Sequence, residues 1–389
     1  MINGPVSDVM GCGTSRIKWL KKVCTGHRGG INWVSLSPDG RYLLTCSEDR
    51  TARLWRTTGQ QCCVFQGHEN YITHGHLEND GPYLHCQQGT GLQRVAVQRV
   101  LRPHGSLLES GQWQADAGVS GHRNSVLALA HFSSQDLLPE AESDCEQNRD
   151  FLVTASSDCT VKLWLVSEGH CYQTLRGHKG AVLCMVLDTP TKTLFTGSTD
   201  HTVRCWDLTT GGQTRVLQDH QGSVVCLELG SRHLYTGSAD RTVKCWLTAS
   251  GKCVRTLMAH RHTVSAIKAH DGVLFTGSGD SCARAFDTES GVLRRVFKGH
   301  TFIINCLQVH NHVLYTVSHD GTMRIWDVRG LYCDTRASRG SHCRGSAGSS
   351  LAQMRNNRVG CAQSPNEPTR GRSSQEACES REREVLELI

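Results

Sequence analysis

Residues 177–207 read GHKGAVLCMVLDTPTKTLFTGSTDHTVRCWD, and this stretch decides the fold. It opens with Gly177-His178, continues through an apolar segment to Asp200 and closes with Trp206-Asp207. The same order recurs along most of the chain: a histidine, a strand-like segment, Thr-x-Ser-x-Asp, and an aromatic residue six positions after the aspartate. Self-similarity at this length indicates a repeat architecture.

Six copies of the unit place four residue types at matching positions. The histidines are His27, His122, His178, His220, His260 and His300. The aspartates are Asp49, Asp158, Asp200, Asp240, Asp280 and Asp320. Four residues before each aspartate stand Thr45, Thr154, Thr196, Thr236, Thr276 and Thr316. Six residues after it stand Trp55, Trp164, Trp206, Trp246, Phe286 and Trp326. The last four aspartates are spaced 40 residues apart, which is a repeat period.

These residue types can form one buried hydrogen-bond network. Residues two apart on a strand share a face, and an aspartate in the following turn can accept a hydrogen bond from a histidine N–H. The other ring nitrogen can accept the threonine hydroxyl proton, and an indole N–H can donate to the threonine oxygen. Because the set occurs in every unit, we interpret it as structural and not catalytic. Phe286 has no N–H, so we expect that one network to be incomplete.

The unit resembles the WD repeat of β-propeller proteins over about residues 17–327. The resemblance implies an all-β fold, a ring of four-stranded blades. It also implies a scaffold that binds peptides or proteins on the faces of the ring.

The chain divides into three parts in this interpretation. Residues 1–16 are a disordered N-terminal tail, residues 17–329 form the propeller of about seven blades, and residues 330–389 are a disordered tail rich in Arg, Ser and Gly. No strand-like segment follows Trp326, whereas Ile17 to Val23 looks like a strand. We therefore predict that the N-terminal strand completes the last blade and closes the ring.

One blade is degenerate. Gly67-His68 starts a unit, but residues 87–120 lack the Ser-x-Asp and the aromatic residue. This segment is either a diverged blade with a long loop or a stretch altered by a changed reading frame or splice. Leu92 to Val97 is a candidate third strand, whereas residues 112–120 are too polar for a convincing outer strand. We expect residues 87–120 to be the least stable arc of the ring.

Composition argues against several classes of function. The net charge of +6 is too small to indicate nucleic-acid binding by itself. The 20 cysteines occur largely at repeat positions without paired C-x-x-C motifs, so we predict buried reduced thiols and no metal. The sequence contains no Gly-rich phosphate loop ending in Gly-Lys-Ser/Thr, no Gly-x-Ser-x-Gly and no His-Glu-x-x-His. We predict a protein that is not an enzyme and needs no cofactor. Reduced thiols and no apolar leader favour the cytoplasm, with the nucleus as the alternative.

Two features suggest partners. Basic residues flank the repeat histidines and aspartates and predict a rim that attracts acidic or phosphorylated proteins; they are Arg28, Arg50, Arg123, Arg176, Lys179, Arg241, Arg261 and Lys298. Trp326-Asp327-Val328-Arg329 resembles the Trp-Asp-x-Arg box by which some WD-repeat substrate receptors engage a cullin-type ubiquitin ligase. A third hypothesis is RNA binding through the basic rim and the Arg-rich tail.

Overall fold

The computed structural model describes residues 19–66, 71–78, 81–87, 94–100, 113–133, 150–165 and 170–332. The predicted N-terminal tail, residues 1–16, and residues 333–389 of the predicted C-terminal tail lie outside these ranges. Residues 330–332 do not, and Leu331 is buried, so the ordered part of the chain extends slightly beyond the predicted boundary at residue 329. The blades belong to one compact unit that ends at Leu331. In the part of the chain described, no helix is long and apolar enough to cross a membrane.

The described residues form seven antiparallel four-stranded sheets, and we number them as blades 1–7. Blade 1 contains β2 (Ile31–Leu36), β3 (Tyr42–Ser47), β4 (Ala52–Arg56) and β5 (Gln61–Phe65). Blade 2 contains β6 (Ile72–Glu78), β7 (Gly81–Gln87), β8 (Arg94–Val100) and β9 (Trp113–Ser120). Blade 3 contains β10 (Val126–Ser133), β11 (Asp150–Ser156), β12 (Thr160–Leu165) and β13 (His170–Arg176). Blade 4 contains β14 (Val182–Asp188), β15 (Thr193–Ser198), β16 (Thr202–Asp207) and β17 (Gln213–Gln218).

The remaining blades follow the same order along the chain. Blade 5 contains β18 (Val224–Leu229), β19 (His233–Ser238), β20 (Val243–Leu247) and β21 (Cys253–Leu257). Blade 6 contains β22 (Val264–His270), β23 (Val273–Ser278), β24 (Cys282–Asp287) and β25 (Leu293–Lys298). Blade 7 contains β26 (Ile304–His310), β27 (Val313–Ser318), β28 (Met323–Asp327) and β1 (Leu20–Cys24), and a short 3₁₀ turn follows at Arg329–Leu331.

The first strand of each blade contacts the first strand of the next, from β2 round to β26 and back to β2. This closed ring of seven blades confirms the predicted all-β propeller. The second strands lie deepest: β15, with the sequence TLFTGS, is buried at every residue after the first. The outer strand β17, QTRVLQ, buries only Leu217. Burial therefore decreases from the inner strands to the outer strands of a blade.

The N-terminal strand closes blade 7, as predicted. β1 pairs antiparallel with β28, with Leu20 opposite Trp326 and Cys24 opposite Met323. Cys24 is buried in the core that blades 7 and 1 share. The Lys22 ammonium also donates to the Gly59 carbonyl in blade 1, at 2.9 Å. β1 thus links the N-terminal end of the propeller to its last blade, and it also contacts blade 1.

Blade 2 corrects one expectation from the sequence. Residues 113–120 form its outer strand, paired with β8 from Arg94↔Ser120 to Val100↔Trp113. Polarity is no obstacle there, because the outer strand of blade 4 is mostly exposed and is held by ladder hydrogen bonds. The third strand begins two residues later than expected, at Arg94.

The register of blade 2 shows which residue types stand at the positions of the polar network. The pairing Gly75↔Leu84 occupies the place of Met185↔Thr196, and the bulge between Val97 and Gln98 occupies the place of the bulge between Cys205 and Trp206. Leucine and glutamine therefore stand where blade 4 has threonine and tryptophan. The bulge between the first and third residues of the innermost strand is nevertheless kept, at Ile72/His74 as at Val182/Cys184.

Candidate functional site

In blade 4 the structure brings the four repeat side chains together at one end of the sheet. The Nδ1 of His178 lies 2.8 Å from the Oδ2 of Asp200, and its Nε2 lies 2.8 Å from the Oγ1 of Thr196. The indole N–H of Trp206 donates to the same threonine oxygen at 2.9 Å. Thr196 and Trp206 are fully buried. Every polar atom of the chain of contacts therefore has a partner.

Blades 1, 3, 5 and 7 repeat this geometry. The histidine–aspartate distance is 2.7–2.8 Å and the tryptophan–threonine distance is 2.7–3.0 Å in all of them. The members are His27, Thr45, Asp49 and Trp55; His122, Thr154, Asp158 and Trp164; His220, Thr236, Asp240 and Trp246; and His300, Thr316, Asp320 and Trp326. Five blades thus carry complete networks among the described residues.

Each complete network has a fifth member that was not predicted from the sequence. Two residues after the aspartate of each complete network, a threonine donates both its N–H and its hydroxyl to Oδ1; for Thr202 these distances are 3.0 and 2.6 Å. The others are Thr51, Thr160, Thr242 and Thr322. The residue between has a left-handed backbone, such as His201 with φ 68°. The recurrence of Asp-x-Thr in five of the six units was the available signal.

In blades 1 and 3 the electrostatics favour a neutral imidazole facing an ionised carboxylate. Burial raises the pKa of the Asp200 carboxyl, but hydrogen bonds from His178 and Thr202 outweigh that effect and hold the pKa below its usual range. Burial lowers the pKa of His27 and of His122 in their networks. Because each of these groups is held by fixed partners, the network stabilises the blade and offers no exposed proton donor or acceptor.

Blade 6 contains a different arrangement, with Phe286 in place of the tryptophan. His260 keeps its contact with Thr276 at 2.7 Å, but its Nδ1 lies 3.1 Å from both oxygens of Asp280. The guanidinium of Arg284 lies against His260 and donates to Asp280 at 2.7 Å. The network lacks the indole donor, as expected, but it gains a cation that the sequence alone did not indicate.

Arg284 contacts the carboxylate because of the residue that the strand pairing places on the neighbouring outer strand. In blades 1 and 4 the equivalent residues Arg53 and Arg204 donate to Gln61 and Gln213 on the outer strand. In blade 6 the residue opposite Phe286 is Leu293, which offers no acceptor. Arg284 therefore turns inward to the carboxylate.

The eight predicted rim cations all lie on the face of the ring that carries the histidines and aspartates, here called the His/Asp face. Each is exposed, and none forms an ion pair with a carboxylate in the described ranges. The cations that follow a repeat histidine are Arg28, Arg123, Lys179 and Arg261. Those that follow a repeat aspartate are Arg50 and Arg241, and those at the end of an outer strand are Arg176 and Lys298. The nearby acidic residues Glu48 and Asp219 are engaged, by His319 at 3.6 Å and by Lys244 at 2.5 Å.

A cleft opens on this face between blades 4 and 5. It has a volume of about 340 Å³, and its lining includes Lys179, His201, Arg204 and Gln218. Asp200 and Asp219 also line it. The cleft is polar and open, which suits an extended polar segment better than an apolar ligand.

The Trp-Asp-x-Arg box lies at the opposite face, where β28 ends. The Nε of Arg329 donates to the two oxygens of Asp327 at 3.0 and 3.1 Å, and Lys21 lies 3.5 Å from Asp327. Hydrogen bonds from Arg329 lower the pKa of the Asp327 carboxyl to about 2. The Asp327 side chain is 6 % exposed, whereas that of Arg329 is 70 % exposed. The carboxylate therefore orients a guanidinium that remains accessible.

Comparison with known families agrees with this architecture. The family model described as "WD domain, G-beta repeat" matches residues 18–56, 116–164, 169–207, 211–246, 251–287 and 291–327, well over half of the chain. The chain belongs to the WD-repeat family. WD repeats form protein-interaction scaffolds, which agrees with the predicted class of function. The matched spans leave out residues 57–115, which contain most of blade 2.

Individual WD-repeat relatives match smaller parts of the chain. Human "WD repeat-containing protein 86" is 51% identical over 213 residues, covering 48% of this chain and 56% of that protein. "Probable E3 ubiquitin ligase complex SCF subunit sconB" of Penicillium rubens is 29% identical, covering 42% of this chain and 23% of that protein. "Nuclear distribution protein PAC1" of Gibberella zeae is 25% identical, covering 41% and 31%. The chain thus spans about half the length of the human relative and a third or less of the other two.

Proposed function

We propose that this WD-repeat protein is a non-catalytic scaffold whose His/Asp face binds acidic or phosphorylated segments of partner proteins. The observation that carries the proposal is the set of eight exposed cations on one face. Carboxylate and phosphate oxygens form charge-assisted hydrogen bonds with arginine and lysine, and these bonds are stronger than those between neutral groups. The rim therefore favours an anionic partner over a neutral one.

The local arrangement supports this choice in two ways. Arg28, Arg123, Lys179 and Arg261 stand on backbone that the network fixes, because their N–H groups donate to the repeat aspartates. Each of these side chains starts from an ordered anchor, which lowers the entropy cost of binding. The cleft beside Lys179 adds a concave site between two blades.

The test is a charge reversal of the rim, with Arg28→Glu, Lys179→Glu and Arg261→Glu combined. We expect affinity for fluorescent acidic and phosphoserine peptides to fall by at least about tenfold, because three attractive contacts become repulsive. The measurement is fluorescence anisotropy at two salt concentrations, and the wild-type affinity should decrease with salt.

The matched control reverses three exposed cations on the opposite face, Arg56, Arg232 and Lys252. It changes the net charge equally and should leave peptide binding intact. Equal losses in both triple variants would contradict a site on the His/Asp face. A labelled RNA that binds more tightly than the peptides, and that only the rim variant loses, would favour the RNA-binding alternative.

A second candidate function is a substrate receptor of a cullin-type ubiquitin ligase. The supporting observation is the accessible Arg329 guanidinium that Asp327 orients. A distant relative that is named as a subunit of a ubiquitin ligase complex agrees with it. This role uses the face opposite the rim, so one molecule could bind a ligase adaptor and an acidic partner at the same time.

Arg329→Ala should abolish co-purification of a cullin-ligase adaptor from cells while shifting the melting temperature little, since surface ion pairs contribute about 0–1 kcal/mol. Lys21→Ala is the matched control, because Lys21 is the other cation at Asp327 but precedes the box. Absence of the adaptor from wild-type purifications would end the receptor hypothesis and leave the scaffold.

A further inference from the structure

Two imidazoles and a carboxylate from neighbouring blades meet on the face opposite the rim. They are His270 and Asp271, at the turn between β22 and β23, and His312, at the turn between β26 and β27. One ligand atom of each residue lies within 4.8 Å of the others. Neither the repeat pattern nor the proposed function uses these residues.

The geometry points to a site for a divalent transition-metal ion, and we propose that it binds Zn²⁺ through His270, Asp271 and His312. The Nε2 of His270 lies 3.3 Å from the Oδ2 of Asp271. Zinc bonds of about 2.0–2.2 Å in a tetrahedron place neighbouring ligand atoms roughly 3.3–3.5 Å apart, so this pair already has the required spacing. A ring nitrogen of His312 supplies the third ligand after a small movement.

The backbone holds the two turns in place. The N–H and the hydroxyl of Thr288 both donate to the Gly272 carbonyl at 3.0 Å, and the Val328 N–H donates to the His312 carbonyl at 2.9 Å. The strands that lead into the turns, β22 and β26, are in direct contact. The ligands therefore need little reorganisation of the main chain to close around an ion.

The solvent exposure of the ligands determines which type of zinc site they can form. The side chain of Asp271 is 64 % exposed and that of His270 is 32 % exposed, so water can reach a bound ion. Three protein ligands with one open position are typical of zinc sites that exchange a water or a further ligand. Two imidazoles disfavour Mg²⁺ and Ca²⁺, which prefer oxygen ligands.

The backbone of the turn does not require a carboxylate at position 271. Asp271 has a left-handed backbone with φ 45°, a conformation that asparagine adopts as readily as aspartate. Asn311 occupies the corresponding turn of blade 7, with φ 48°. Asp271→Asn therefore removes one ligand charge and keeps the turn, which makes it the sharpest test variant.

The experiment is a calorimetric titration of the full chain with ZnCl₂, after removal of metal by a chelator and in the presence of a non-thiol reductant. We expect one saturable binding event. His312→Ala and Asp271→Asn should weaken it by at least about tenfold, because even loss of a supporting outer residue costs about 10–100-fold in metal affinity. MgCl₂ should give no such event.

His319→Ala is the matched control. His319 also lies near a carboxylate, Glu48, at 3.6 Å, but on the His/Asp face and outside this cluster. This variant should bind Zn²⁺ like the wild type. Zn²⁺ should also raise the melting temperature of the wild type and of His319→Ala but not of Asp271→Asn, because the ion joins two blades of the folded state.

Cobalt distinguishes this site from cysteine binding, since the chain has 20 cysteines. Co²⁺ in the proposed site should give visible absorption without a thiolate-to-cobalt charge-transfer band. A strong charge-transfer band, unchanged Zn²⁺ affinity in Asp271→Asn and His312→Ala, or no saturable event in the wild type would each overturn the proposal.

Discussion

Asp200→Ala should lower the free energy of unfolding by at least about 2 kcal/mol, because a buried donor left without an acceptor costs about 1–3 kcal/mol. The carboxylate accepts from His178, from the Lys179 N–H and from both donors of Thr202, at 2.6–3.0 Å. Alanine removes all four contacts at once. A thermal melt and a urea titration measure the loss.

Asp280→Ala is the informative comparison. Its carboxylate accepts longer hydrogen bonds from His260, the Arg261 N–H and the Cys282 N–H, at 3.1–3.2 Å. Arg284, its remaining partner, has a long side chain that can turn towards solvent when the carboxylate is removed. We therefore expect a smaller loss of stability than for Asp200→Ala.

Glu289→Ala removes an exposed carboxylate from a turn and should change stability by less than about 0.5 kcal/mol. Equal shifts for Asp200→Ala and Asp280→Ala would mean that the complete network does not set the stability of a blade.

Deletion of residues 1–24 should have the largest effect of all, because it removes β1 and opens the ring. The full backbone edge of β28 would lose its partner, and Ile325 and Met323 would lose the packing of Cys24. Trp19, which lies edge-on against Phe297 and under the guanidinium of Arg295, would be lost as well. We expect a much lower melting temperature and aggregation through the exposed edge.

Deletion of residues 1–16 is the control, since it leaves β1 intact and should melt like the full chain. A synthetic peptide of residues 17–26, added to the shorter protein, should restore part of the melting temperature by strand addition. An unchanged melt after deletion of residues 1–24 would show that the ring closes without β1.

The sequence predicts most of this fold because polar residues recur where the backbone requires them. The Thr–Asp–aromatic spacing locates six blades, and the lack of a strand after Trp326 predicts closure by the N-terminal strand. The outer strand Trp113–Ser120 could not be recognised, since its stability comes from ladder hydrogen bonds that carry little side-chain pattern.

The candidate sites were predictable to different degrees. The rim cations follow from their positions beside the repeat residues, whereas the inward turn of Arg284 depends on which residue stands opposite Phe286. The approach of His270 to His312 needs the three-dimensional ring, because the two residues belong to different repeats. Local pattern thus predicts contacts within a unit better than contacts between units.

The pairing of β1 with β28 also decides how the ring responds to mechanical force. The start of β1 lies beside the end of β28, with Leu20 opposite Trp326, so the chain enters and leaves the ring at the same end of one ladder. Tension between the two ends would load the hydrogen bonds of this ladder one after another from that end and would not shear them together. The Asp327 N–H, which donates to the Trp19 carbonyl at 2.7 Å, would carry the load first. A partner pulling on both ends would therefore peel open blade 7 first.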